Sequence, residues 1–162
     1  MTGAIHATYW IETAFPLAQA AAAMAGEQSS GTFVRLPGET DEEIVLVAHL
    51  CHPAMVNDDL TGVLVGVEVA KALLRQAQEG DKPYYTYRLL ILPETIGSVA
   101  YLSHHEHLIP DMAGGLFLEM LGNDSPHALQ HSFQPHSQTD RCLSTSMQSF
   151  DHQSYTGAYR SV

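Results

Sequence analysis

Three short apolar runs, each ending in a side chain able to bind a metal or move a proton, constrain this chain more than any other feature. Ile44-Val45-Leu46-Val47-Ala48 runs into His49, Tyr84 to Leu92 stops at Pro93-Glu94, and Gly115-Leu116-Phe117-Leu118 meets Glu119. The first, continuous and β-branched, predicts a strand buried on both faces. From about Leu60, apolar Val63, Leu64, Val67, Ala70, Leu73 and Leu74 interleave with polar Glu68, Lys71, Arg75 and Gln78, which predicts a helix ending near Gly80. Ile96 to Leu102 predicts a second helix. Strand, helix, strand, helix, strand is an α/β layout. In open α/β sheets, ligands gather outside the carboxyl ends of the strands. His49, Glu94 and Glu119 are therefore expected to converge, with Asp58 in the loop that enters the first helix.

The length of 162 residues, with 45% of them apolar, suits one domain with an ordinary core. Seven Lys and Arg against eighteen Asp and Glu give a net charge of -11, which argues against nucleic acid and anionic membrane surfaces as partners. No run of about 18 apolar residues is present, nor the basic start and apolar core of a secretory signal, so a soluble cytoplasmic chain is expected. Two cysteines, Cys51 and Cys142, are compatible with reduced thiols. Met1 to Gly31 reads as a helix within Ala18 to Ala25 and a loop. Residues 125–162 read as irregular and polar, with a short helix around Arg141 to Met147.

Each candidate group also has a structural reading. A histidine at a strand end can be a satisfied core residue. Asp58 or Asp59 can cap the helix beginning near Leu60, and Glu94 can favour the first turn of the helix that follows it. Glu119 is different, because a carboxylate flanked by Leu118 and Met120 is expected to be half-buried and to need a partner, which a cation would provide. His104-His105-Glu106-His107 reads as a group at a helix C-terminus, and Tyr84, Tyr85 and Tyr87 as strand packing. Gly62 and Gly66 suit close helix-to-sheet contact, since no Gly-Lys-Ser/Thr follows to make a phosphate loop.

The strings His49-Leu50-Cys51-His52-Pro53, Asn57-Asp58-Asp59-Leu60-Thr61-Gly62, Pro93-Glu94-Thr95-Ile96-Gly97-Ser98 and Leu118-Glu119-Met120-Leu121-Gly122, in that order, resemble the bacterial aminopeptidase-like proteins related to the co-catalytic zinc aminopeptidases. The resemblance covers residues 43–124. It implies a three-layer α/β/α fold with a mixed central sheet and a zinc hydrolase that cleaves an amide bond near a free amino terminus. Peptide or a small acylated amine would be the substrate. By the same resemblance His49 and Glu119 would hold one zinc, Asp58 would bridge to a second, and Glu94 would be the general base. Imidazole nitrogen and carboxylate oxygen suit zinc, and metal-acidified water with a nearby carboxylate suits hydrolysis.

The sequence departs from that pattern at Thr95, which stands where a second glutamate would ligate the second zinc, so one zinc or two is left open. Cys51 stands where an aspartate would orient the ligand histidine. Cys51 or His52 could itself ligate, although neighbours on an extended chain point to opposite sides, so that at most one would face the metal. The same argument disfavours Cys51 with His52 as a cysteine nucleophile. The remaining ligand is either His152 or lies beyond Val162, and the chain is then expected to be a fragment of an incomplete fold, requiring a partner copy or the missing C-terminal segment. A rival reading is a metal-binding or interaction domain without turnover.

Overall fold

The computed structural model describes residues 32–132, 137–149 and 155–158. The helix expected within Ala18 to Ala25, and His152, lie outside them. Two compact units divide the chain, Met1–Gly122 and Asn123–Val162.

In the first unit the elements are β1 (Thr32–Leu36), β2 (Glu43–His49), α1 (Leu60–Gln78), β3 (Thr86–Leu92), α2 (Ile96–His104), a 3-10 turn (Glu106–Asp111) and β4 (Met112–Phe117). The sheet order is β1-β3-β2-β4, with β2 parallel to both β3 and β4 and β1 antiparallel to β3. The sheet is therefore mixed, as the resemblance implied. Alternation along the strands sends Val34, Leu46, Ala48, Leu89 and Ile91 to one face, where they pack with Val63 of α1. Val45, Leu90 and Leu92 go to the other face and pack with Tyr101 of α2. With one helix on each face, β2 and β3 are covered on both sides, which is why their sequences are nearly continuous apolar runs.

Two features of this unit were not read from the sequence. The strand β1 was not expected, and it is seated by a close approach: a Cβ on Gly38 would collide with the Tyr85 carbonyl group, while Gly38 N–H donates to Thr86 Oγ1 at 3.0 Å. The other is a charge pair inside the sheet. Glu43 and Arg88 are 2% and 4% exposed, and Arg88 Nη2 donates to Glu43 Oε1 at 2.8 Å. Arg35 Nε reaches the same carboxylate at 2.9 Å. Burial alone would raise the Glu43 carboxyl, but the two guanidinium groups more than offset this and hold it below the usual carboxylate range.

The helix α1 ends just before Gly80, whose φ of +94° suits glycine. Gly62 and Gly66 do face the sheet: a Cβ on Gly62 would collide with the Leu118 carbonyl oxygen and the Asp59 carboxylate, and one on Gly66 would sit 2.7 Å from Leu89 Cδ1. The strand expected from Tyr84 begins at Thr86, leaving Tyr84 59% exposed against the edge of Tyr85. His104 and His105 use Nδ1 on the carbonyls of Ala100 and Tyr101, at 2.8 and 2.9 Å, which satisfies acceptors in the last turn of α2.

The second unit holds β5 (Ala128–His131), α3 (Gln138–Ser149) and β6 (Tyr155–Ala158), with β5 and β6 parallel. This corrects the reading of residues 125–162 as irregular. The reason is a reciprocal cap: Asp140 N–H donates to Ser137 Oγ at 3.1 Å, and Ser137 N–H donates to Asp140 Oδ2 at 3.1 Å. Ser132 also donates to Asp140 through its N–H and its hydroxyl, and this set of donors holds the Asp140 carboxyl far below the usual range.

Candidate metal centre

Three loops leave the carboxyl ends of β2, β3 and β4, and each carries residues singled out by the sequence. Each also contains one non-glycine residue with a left-handed backbone: Ala54 (φ +60°), Thr95 (φ +55°) and Met120 (φ +50°). Among the described residues these are the only three, and strained backbone of this kind concentrates where side chains must be aimed.

Asp58 and Asp59, equivalent candidates for the helix cap, divide the work. Asp59 is fully buried and is the N-cap of α1, with Oδ1 accepting from Gly62 N–H and Met120 N–H and Oδ2 accepting from His49 N–H, each at 3.1 Å. One carboxylate thus ties together the end of β2, the start of α1 and the loop after β4. Both of its oxygens are committed to backbone donors, so Asp59 serves as the clamp of the site. Burial pushes its carboxyl above the usual range, with the three N–H donors partly offsetting the rise. The peptide bond between Asp58 and Asp59 is cis. Asp58, freed from capping, turns outward with half of its side chain exposed and brings Oδ1 to 3.0 Å from His49 Nε2.

His49 is only 2% exposed, and its Nε2 has no hydrogen-bond partner. Asp58 lies close to it but out of line for a hydrogen bond. Glu119 Oε1 is 3.7 Å from the same nitrogen. A buried ring nitrogen without a donor or acceptor is costly. The nitrogen and the two carboxylate oxygens lie within 4.8 Å of one another, a donor set that fits a divalent cation. Phe117 stacks on the imidazole at a centroid distance of 5.9 Å and an angle of 8°, which limits its rotation.

Glu119 has a side chain 40% exposed, more than its apolar flanks suggested. Its carboxyl is raised first by burial, and then by the negative charges of Asp59, Asp58 and Glu94, against the opposing influence of His49. Four carboxylates around one imidazole repel one another, and a cation would relieve that repulsion.

Glu94 is exposed, within 4.8 Å of both His49 and Cys51. Thr95, also exposed, heads α2 without a side-chain cap. The expectation that Cys51 and His52 point apart is not met. The strand ends at His49, the following chain turns, and Cys51 Sγ lies 3.5 Å from His49 Nδ1 and 3.4 Å from His52 Nδ1. Both Cys51 and His52 are exposed.

An α/β sheet flanked by helices, with a buried imidazole facing two carboxylates at its carboxyl edge, makes this a peptidase-like fold with a candidate metal centre, as the solved structure below shows for the fold. More particularly, the chain belongs to the family described as Domain of unknown function (DUF4910), which it matches over residues 19–161. It is 42% identical over 86 residues to a Clostridium acetobutylicum protein named for polysaccharide biosynthesis and an aminopeptidase-like domain, covering 53% of this chain and 19% of that protein. A crystal structure from the same species, named provisionally as a peptidase, superposes with a TM-score of 0.74 at 30% identity, over 79% of this chain and 29% of that one. An Acidobacteriales bacterium glutaminyl cyclase shares the fold, with a TM-score of 0.55 at 16% identity over 79% and 51% of the two chains. A shorter stretch of 42 residues, 26% of this chain, is 55% identical to a tenth of a 3-oxo-isoapionate-4-phosphate transcarboxylase/hydrolase from Xanthobacter autotrophicus. The chain spans about a fifth of the first curated relative and 29% of the first solved structure. Among the described residues, no helix is long and apolar enough to cross a membrane.

Proposed function

We propose that this chain carries the metal-binding core of an aminopeptidase-type hydrolase, acting on a peptide or a small acylated amine. The observation that carries the reading is the buried, unpartnered Nε2 of His49 facing Asp58 and Glu119. These three residues would hold zinc. Zinc held there would supply acidification of a water molecule and polarisation of the substrate carbonyl. Glu94, exposed at the end of β3, takes a proton from the attacking water and returns it to the leaving amine. Asp59 keeps the end of β2, the start of α1 and the loop after β4 in register. The acidic surroundings also favour a substrate with a cationic amino group.

The test is zinc content after dialysis, together with turnover of amino-acid amides. His49→Ala and Glu119→Ala should release the metal, whereas Glu94→Gln should keep it and lose hydrolysis. Retained hydrolysis in Glu94→Gln would remove the proposed base. A second reading, metal binding without turnover, is favoured by Thr95 at the place of a second acidic ligand, and it predicts bound zinc with no hydrolysis in the unaltered chain. The contact between Cys51 Sγ and His52 Nδ1 gives the cysteine-nucleophile reading its one support. That reading predicts activity that survives chelation and is lost in Cys51→Ser.

A further inference from the structure

The imidazole of His49 has donor groups beside both of its nitrogens. Nε2 looks toward Asp58 and Glu119, at 3.0 and 3.7 Å. Nδ1 lies 3.5 Å from Cys51 Sγ, and a Glu94 carboxylate oxygen lies within 4.8 Å of that sulfur and of a His49 ring nitrogen. Zinc bonds of about 2.0–2.1 Å to nitrogen and about 2.3 Å to sulfur, opened to a tetrahedral angle, set the two atoms about 3.6 Å apart. The observed separation is therefore the span that one tetrahedral cation bridges. Two of the three groups are fixed in place. Phe117 stacks on the imidazole, and Cys51 N–H donates to the thioether of the buried Met55 at 3.3 Å. Glu94 is exposed just beyond β3, so rotation of its side chain can close the remaining gap. His52 Nδ1 touches the sulfur at 3.4 Å but does not belong to the converging group.

We infer that His49, Cys51 and Glu94 form a second metal site, a sulfur-bearing one that takes a soft or borderline cation such as zinc, beside the oxygen-rich set of His49, Asp58 and Glu119. Three protein donors leave a fourth position for water. The sulfur sets the preference, because thiolate selects zinc and copper(I), whereas carboxylate also suits magnesium and manganese. Both sets use the one imidazole, so they compete for it. A cation in the second set also takes up the Glu94 carboxylate, and the chain is then without the base proposed above. The two roles of Glu94, ligand and base, belong to different metal-bound states of the same chain. The inference shares His49 with the metal site proposed above and does not require that the chain turn over a substrate.

The experiment is a cobalt(II) titration followed by absorption, in a Cys142→Ser background that leaves Cys51 as the single thiol. Far-ultraviolet circular dichroism reports folding in parallel. The parent chain should develop a thiolate-to-cobalt charge-transfer band, which added zinc should bleach. Glu94→Gln should weaken the cobalt affinity read from that band by at least about ten-fold. The double variant Asp58→Asn/Glu119→Gln should keep the band, and gain intensity at limiting cobalt because the competing set is gone. Cobalt bound by the parent chain without the band overturns the inference, since the contact between sulfur and ring is then a hydrogen bond only. An unchanged affinity in Glu94→Gln overturns it as well. Loss of the band in a folded double variant overturns it by merging the two sets into one site. Because the band in the parent chain reports Cys51 directly, the test does not depend on a cysteine variant that folds. The two readings also fail separately: zinc released by Glu119→Ala with no cobalt band leaves the first site alone, and a band without hydrolysis leaves the second.

Discussion

Replacing Asp59 tests the clamp, because the hydrogen bonds this carboxylate accepts all come from backbone. Its bonds from His49 N–H and Gly62 N–H are buried, while that from Met120 N–H is partly exposed. Asp59→Ala strands two buried donors at about 1–3 kcal/mol each, so the expected loss is roughly 2–6 kcal/mol. The third amide can turn to water and contributes little. Against a typical total of about 5–15 kcal/mol for a domain, the loss removes much of the stability of this unit. Asp59→Asn should lose less, about 1–3 kcal/mol for one stranded donor. Its carbonyl can still accept from Gly62 and Met120, and only the amide group facing His49 N–H is mismatched. The amide is also uncharged, which removes the penalty of burying a carboxylate. Urea unfolding followed by circular dichroism, in chelator, measures both. A midpoint for Asp59→Ala equal to that of the unaltered chain, or an Asn variant less stable than the Ala variant, would refute the clamp.

The Glu43 carboxyl lies below its unfolded value, so the stability it contributes is present above that value and lost as pH falls through the lower folded one. An acid titration of thermal stability should show the loss in that window, and Arg88→Met should remove it. Arg88→Met also leaves a buried carboxylate with Arg35 alone, at a cost approaching about 3–5 kcal/mol at neutral pH, measurable by urea unfolding. Gly62→Ala should lift α1 from the end of the sheet and lower stability by about 1–3 kcal/mol or more; an unchanged melting temperature would contradict the contact. Zinc at a hundred times its dissociation constant should stabilise the fold by about 2.7 kcal/mol, seen as a rise in melting temperature that His49→Ala abolishes.

Much of the framework was legible because burial on both faces leaves a one-dimensional trace. The run at Ile44 to Ala48 reads as a strand buried on both faces and that from Tyr84 to Leu92 as a second strand, and the periodic helix between them needed a partner on one face. The strand β1 left no such trace, since Thr32-Phe33-Val34-Arg35-Leu36 is short and ends at a proline. The helix α3 extends beyond the expected Arg141 to Met147 because its start depends on the Ser137 and Asp140 cap, in a segment with few apolar residues. Glu43 and Arg88 are 45 residues apart and look like ordinary surface charges until parallel pairing of β2 and β3 brings them together.

The residue types at the strand ends were determined by the sequence alone: a histidine and two glutamates after apolar runs, with paired aspartates before a helix. Which of them would face one another was decided only by tertiary structure. Sequence could not distinguish Asp58 from Asp59, because both are carboxylates at a helix start. The fold separates them by giving Asp59 three backbone donors, from His49, Gly62 and the distant Met120, and leaving Asp58 to face His49. Nor could an extended-chain argument place Cys51 against both imidazoles, because that contact exists only where the strand has ended and the backbone turns. Local chemistry is written in residue identity, whereas the convergence of side chains is set by where the sheet stops each strand.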